Sequence, residues 1–167
     1  MSDADRKPSS SGDEGLKAEI KKRDAFERAE EEALLNLART NDVLESAFSA
    51  LFREHRLTSS QYNALRILRG EGSPLPCLEV ASRMITRLPD ITRLVDRLEE
   101  SGLVERTRSL EDRRVVWVGI TDKGRAVLSG LDTPVRDLQR RLLGHLDPAE
   151  LAELNRLLVK ARRFDAS

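Results

Sequence analysis

The stretch Ile91-Thr92-Arg93-Leu94-Val95-Asp96-Arg97-Leu98-Glu99-Glu100-Ser101-Gly102-Leu103-Val104-Glu105-Arg106 changes its period partway along. Ile91, Leu94, Val95 and Leu98 recur every three or four residues, which is the spacing of one helical face. Pro89 suits the start of that helix, expected over 90–100, and Ser101-Gly102 ends it. Gly102 stands where a left-handed residue after the helix is wanted. Leu103-Val104-Glu105-Arg106 and Val115-Val116-Trp117-Val118-Gly119-Ile120 then read as β-rich runs. The polar and charged segment Thr107-Arg108-Ser109-Leu110-Glu111-Asp112-Arg113-Arg114 between them predicts a hairpin with a long loop.

Three further helices are expected upstream. A pattern over 24–54 carries Phe26, Ala29, Ala33, Leu37, Leu44, Phe48 and Leu51 with no Gly or Pro inside. At 1.5 Å per residue it would span about 45 Å, too long for one small core to cover, so part of it should meet another subunit. Thr58-Ser59-Ser60-Gln61 reads as a capping box, and Tyr62, Leu65 and Leu68 give that helix its apolar face until Gly70, Gly72 and Pro74. A short helix over 76–85 should turn Leu78, Ala81 and Met84 inward. Downstream, Thr121 caps a helix carrying Ala126, Val127, Leu128 and Leu131, which Pro134 should kink or break. Asp147-Pro148-Ala149-Glu150 starts a last helix with the stripe Leu151, Leu154, Leu157, Leu158, Ala161 and Phe164. Residues 1–15 hold almost no apolar side chain and read as a disordered tail.

Composition narrows the function classes. The 167 residues hold 29 basic and 29 acidic side chains, with 35% charged and only 4% aromatic. No run approaches the ~20 apolar residues that span a bilayer. The polar N-terminus is not a secretory signal, so a cytoplasmic protein is expected. One cysteine, Cys77, excludes an internal disulfide framework and a Cys-based zinc site, and the isolated His55 and His145 do not form a metal cluster. Neither a Ser-His-Asp arrangement nor a phosphate-cradling glycine loop is found, so no catalytic residue, cofactor or metal is expected. The charge is uneven: residues 1–50 carry 8 basic and 12 acidic groups, and residues 51–125 carry 14 and 11. That excess is small, and a balanced total does not exclude nucleic acid, because what matters is where basic groups lie.

Helices followed by a hairpin give the order of a winged helix-turn-helix, in which the helix before the hairpin enters the major groove. The fold class expected is mostly α with a small β-hairpin wing, plus N- and C-terminal dimerisation helices. Leu57-Thr58-Ser59-Ser60-Gln61-Tyr62, Ile91 to Glu99, Ser101 to Arg106, Glu111-Asp112-Arg113-Arg114 and Ile120-Thr121-Asp122-Lys123-Gly124 carry a resemblance to the MarR family of bacterial transcriptional regulators. It covers about residues 24–164, with its segments in order.

The resemblance implies a homodimer on double-stranded DNA, bound at a pseudo-palindromic operator, often as a repressor relieved by a small ligand or by oxidation. An aromatic or phenolic effector would suit it. The implied organisation is a dimerisation helix over 24–56, a DNA-binding region over 57–121, and C-terminal helices over 122–164 that complete the dimerisation region. Leu37, Leu44, Leu151, Leu154, Leu158 and Phe164 are the expected dimerisation residues.

The expected DNA-binding residues are Asp90, Thr92, Arg93, Arg97, Asp112, Arg113 and Arg114. Arg93 can pair bidentately with a guanine edge, and Thr92 can meet a thymine methyl or a phosphate. Against this stands the reading of both as the solvated side of an amphipathic helix. Arg97 lies one turn on and has Asp96 or Glu100 as alternative partners. The resemblance places Arg114 in the minor groove with Asp112 orienting it, and leaves Arg113 for a phosphate; an exposed ion pair is the bland alternative. Leu88-Pro89-Asp90 departs from the common pattern. Asp90 either accepts from a cytosine or stabilises the helix N-terminus. Cys77, near a helix start, permits redox sensing but does not match the reactive position of the redox-sensing relatives. Tyr62 and Trp117 read as packing residues. The competing function is a winged-helix protein-protein interaction module that has lost DNA, supported only by the even charge balance and by Asp90 and Glu111.

Overall fold

The computed structural model describes residues 15–87, 89–108, 112 and 115–163. It divides into two compact units, Met1–Leu44 and Glu45–Ser167. In the first, a single-turn helix α1 (Leu16–Glu19) precedes α2 (Ala29–Glu54), a 26-residue helix whose remainder belongs to the second unit. The long helix therefore starts at Ala29, five residues later than the periodicity suggests. Phe26 falls in phase with its stripe but lies outside it, with the Lys22 ammonium 5.5 Å from the centre of its ring. Glu30, Glu31 and Glu32 occupy the first turn, where the helix dipole favours negative charge.

In the second unit, α3 (Ser59–Glu71) begins on the expected capping box. The Gln61 amide donates to Thr58 Oγ1 at 3.2 Å, and the Thr58 amide donates back to Gln61 Oε1 at 2.9 Å. Gly72 ends it at φ 78°. Next come β1 (Leu75–Pro76), α4 (Cys77–Ser82) and α5 (Ile91–Glu100). Strands β2 (Val104–Arg108) and β3 (Val116–Ile120) follow, then α6 (Asp122–Leu143) and α7 (Pro148–Ala161).

The expected hairpin forms from β2 and β3, and β1 joins it, so the sheet is three-stranded and antiparallel in the order β1-β3-β2. The extra strand is only Leu75 opposite Val118 and Pro76 opposite Trp117, too short to leave a periodic signature. β2 also runs on through Thr107 and Arg108 in register with Trp117 and Val116.

The core of this unit is continuous. Leu65, Leu68, Val80, Val95, Leu98, Val118, Leu128 and Leu131 are fully buried within it. Leu78 does not join them: it is 80% exposed. The inward stripe of α4 is Cys77, Val80 and Ala81, continued by Met84 just past the helix end, and Leu78 is one position out of phase.

Pro134 does not break α6, which continues for nine residues beyond it. Leu128, Leu131, Val135 and Leu138 are buried on both sides of the proline, so packing holds the helix through the missing hydrogen bond. A bidentate pair ties α6 to α3: Arg69 donates to Asp132 at 3.0 and 2.7 Å. The Arg69 guanidinium holds the Asp132 carboxyl below its usual range. That pair therefore stabilises the fold above the ordinary carboxylate range and loses its contribution as acid protonates Asp132.

Candidate nucleic-acid interface

The α4–α5 pair presents the helix that the sequence singled out. Asp90 is its N-cap, its Oδ1 accepting the Arg93 backbone N–H at 3.0 Å. This is the helix-stabilising role of the two expected for Asp90, and it fixes the start of α5. Val95 and Leu98 are buried, and Ile91 and Leu94 are half-buried, on the inner face. Thr92, Arg93 and Arg97 lie exposed on the outer face. The C-terminus closes with paired bonds from Gly102 N–H to the Glu99 carbonyl at 2.8 Å and from Leu103 N–H to the Leu98 carbonyl at 2.9 Å. Gly102 has φ 70°, a conformation that favours glycine. Lys123 Nζ donates to the Ser101 carbonyl at 2.7 Å, and Thr121 Oγ1 to the Gly102 carbonyl at 2.8 Å, so the end of α5 is held by the start of α6.

Two positioning features escaped the sequence reading. The first is Arg106 on β2. Its Nε donates to Glu99 Oε2 at 2.8 Å, its Nη1 to Asp96 Oδ1 at 2.6 Å, and its Nη2 also meets Glu99. These bonds hold the Glu99 carboxyl below its usual range and raise the guanidinium. Asp96 thus pairs with Arg106, not with Arg97, which stays on the exposed face. Acidic residues at positions i and i+3 of the helix, followed by an arginine on the next strand, are the signal that was available. The second is Asn63 on α3, the one buried polar residue of the described chain. Its Oδ1 accepts the Ile85 backbone N–H at 3.1 Å and so pins the turn between α4 and α5. Arg83 reinforces the same corner through Glu71 at 2.6 Å and Glu79 at 2.9 Å.

The wing residues are less visible. Asp112 is described, and its carbonyl accepts the Val115 N–H at 2.9 Å. Arg113, Arg114 and Glu111 lie outside the described residues, as do Leu88, Phe164 and all but Gly15 of the expected tail over 1–15. Of the expected dimerisation residues, Leu37 is 41% exposed, and Leu44, Leu151, Leu154 and Leu158 are half-buried. Cys77 is half-buried, and burial pushes its thiol up. That runs against the thiolate a redox sensor needs. Tyr62 does pack, stacking on Phe52 with ring centres 4.3 Å apart. Trp117 does not pack inward: it sits on the outer face of the sheet, 38% exposed. Among the described residues no helix is long and apolar enough to cross a membrane.

Comparison with known proteins gives this arrangement a context. The family described as "MarR family" matches residues 57–116, from the residue before the capping box into β3. A MarR transcription factor from Planctomyces limnophilus, known from its crystal structure, is 44% identical, with a TM-score of 0.64 over 80% of this chain and 98% of that one. The HTH-type transcriptional repressor IacR of Pseudomonas putida is 31% identical over 73% of this chain and 72% of its own length. A cysteine-to-serine variant of Escherichia coli MarR, crystallised with operator DNA, is 27% identical with a TM-score of 0.68, over 75% of this chain and 89% of that one. These relatives are transcriptional regulators rather than enzymes, and this chain belongs to the MarR family of DNA-binding transcriptional regulators.

Proposed function

We propose that the protein is a homodimeric repressor that reads a pseudo-palindromic operator in the cytoplasm with one α5 helix per half-site. The observation that carries this reading is the outer face of α5, where Thr92, Arg93 and Arg97 stand exposed on a helix capped by Asp90 and fastened to β2 by Arg106. Arg93 is assigned to a guanine edge, Thr92 to a thymine methyl or phosphate, and Arg97 to the backbone one turn on. Arg114, with Asp112 and Arg113, is assigned to the wing's contact with the minor groove. Leu37 and Leu44 on α2, and Leu151, Leu154 and Leu158 on α7, are assigned to the partner subunit. None of the described residues of α7 is buried in the single chain, although the helix carries an apolar stripe. A small aromatic or phenolic effector would relieve repression.

Selection of genomic fragments by the purified protein tests the reading. A palindromic motif is expected at near-physiological salt, with binding that weakens steeply as salt rises because phosphates are neutralised. Recovery of no motif even at low salt would overturn it in favour of a protein-binding winged helix. Sedimentation should give about twice the chain mass of 18.8 kDa at micromolar concentration. A clean monomer would remove the two-fold operator.

Arg106 supplies a further expectation. Arg106→Met keeps the apolar stem but frees Asp96 and Glu99, so α5 is no longer fixed to the wing. Operator affinity should fall about tenfold, with the dimer intact. Both carboxylates are more than a third exposed, so the loss of thermal stability should be small. DNA titration beside a thermal melt checks this; unchanged affinity would show that the tie does not position α5.

A further inference from the structure

The solvent face of the sheet carries a groove of about 490 Å³ lined by Ser73, Pro74, Glu105, Thr107, Trp117 and Gly119. Strand alternation puts these residues together. Glu105 pairs with Gly119 and Thr107 with Trp117, so all four share one face, while Val104, Val118 and Ile120 turn into the core. Gly119 forms the floor. A Cβ there would lie 3.4 Å from Pro74 Cγ and 3.6 Å from Glu105 Oε1, so the proline ring and the carboxylate both close over a position without a side chain.

The chemistry of the lining is specific. Glu105 is its one charged residue. The side chains of Glu105, Ser73 and Thr107 have no hydrogen-bond or ion-pair partner among the described residues. Glu105 and Thr107, two apart on one face of β2, offer a carboxylate and a hydroxyl beside the indole of Trp117, and Ser73 lies across β3 at the other end of the groove. An ammonium group carries three N–H donors and no acceptor, which suits a carboxylate with a hydroxyl beside it. An indole face attracts a cation, and Trp does so best among the aromatic side chains. The volume falls within the range of small-molecule sites. A phosphate or a carboxylate would meet the Glu105 charge with nothing to offset it.

We propose that this groove binds a small primary organic ammonium with an apolar body. The nitrogen is held by Glu105 and Thr107, and the body lies over Gly119 between Trp117 and Pro74. The site is separate from the outer face of α5 and does not depend on which operator the protein reads.

The chain has a single tryptophan, so emission from Trp117 reports on the groove directly. Titration of the full-length protein with 2-phenylethylammonium should give a saturable change with half-saturation at about 1 mM or below. The neutral 2-phenylethanol and the anionic phenylacetate should give none at equal concentration. Glu105→Gln should weaken the amine at least about tenfold, because the charge-assisted bond is lost. Gly119→Val should abolish the response by filling the floor, with circular dichroism confirming that each variant is folded. Absence of saturation to about 10 mM, an equal response to 2-phenylethanol, or unchanged affinity in Glu105→Gln would each overturn the proposal.

Discussion

An Arg93→Ala variant is expected to bind its operator about 30-fold or more weakly than the parent. A bidentate arginine–guanine pair discriminates by roughly 1–3 kcal/mol. In the proposed two-fold dimer the contact is made once in each half-site, so the loss is counted twice. The substitution leaves the helix intact. The bond to Asp90 comes from the Arg93 backbone N–H, which alanine keeps, and alanine is the better helix former. The measurement is a pair of titrations, one on the selected operator and one on scrambled DNA of equal length, at matched salt. Operator binding should fall far more than scrambled binding. Equal losses on both would make Arg93 a phosphate contact and move base reading elsewhere on α5.

The second large effect concerns stability. Gly124→Ala should cost about 3 kcal/mol, because the added methyl has no room. A Cβ at Gly124 would overlap the Leu103 carbonyl oxygen and lie 2.8 Å from Ile120 Cγ1. Neither group can yield easily. The Leu103 carbonyl accepts the Thr121 N–H at 3.1 Å, and Ile120 is in the core. The melting temperature should fall by about 6–12 °C. Gly130 lies on the same helix with nothing within 4 Å of its would-be Cβ. Gly130→Ala should therefore stabilise, by about 0.5–1 kcal/mol. Calorimetry on the two variants decides the matter. If they behaved alike, the close approach of α6 to Leu103 would not exist in solution.

Sequence reading was reliable where one element announces itself locally. Asp90, the Ile91-Leu94-Val95-Leu98 spacing and Gly102 mark both ends and the inner face of α5. The capping box at Thr58 and the cap at Asp147 likewise sit where helices begin. It failed where distant pairing decides. Leu75 and Pro76 become a strand only because Val118 and Trp117, more than 40 residues later, lie beside them. The inward face of α4 cannot be chosen from six residues, which is why Leu78 reads as inward, and the outer face of β3 is not marked in the apolar run around Trp117. Helical periodicity also carried Phe26 into a helix that starts at Ala29. Of the interface, the exposed residues of α5 could be named, because a polar stripe opposite an apolar one is visible in the sequence. The groups that hold α5 in place could not, since Arg106, Asn63 and Lys123 act through bonds that only the fold creates.

The brevity of β1 has a consequence for how copies of this protein meet. A sheet edge with free N–H and C=O groups invites another chain to add a strand. Here one edge is a two-residue strand ending in Pro76, which has no N–H to give. Addition of a strand from another chain at that border is therefore disfavoured.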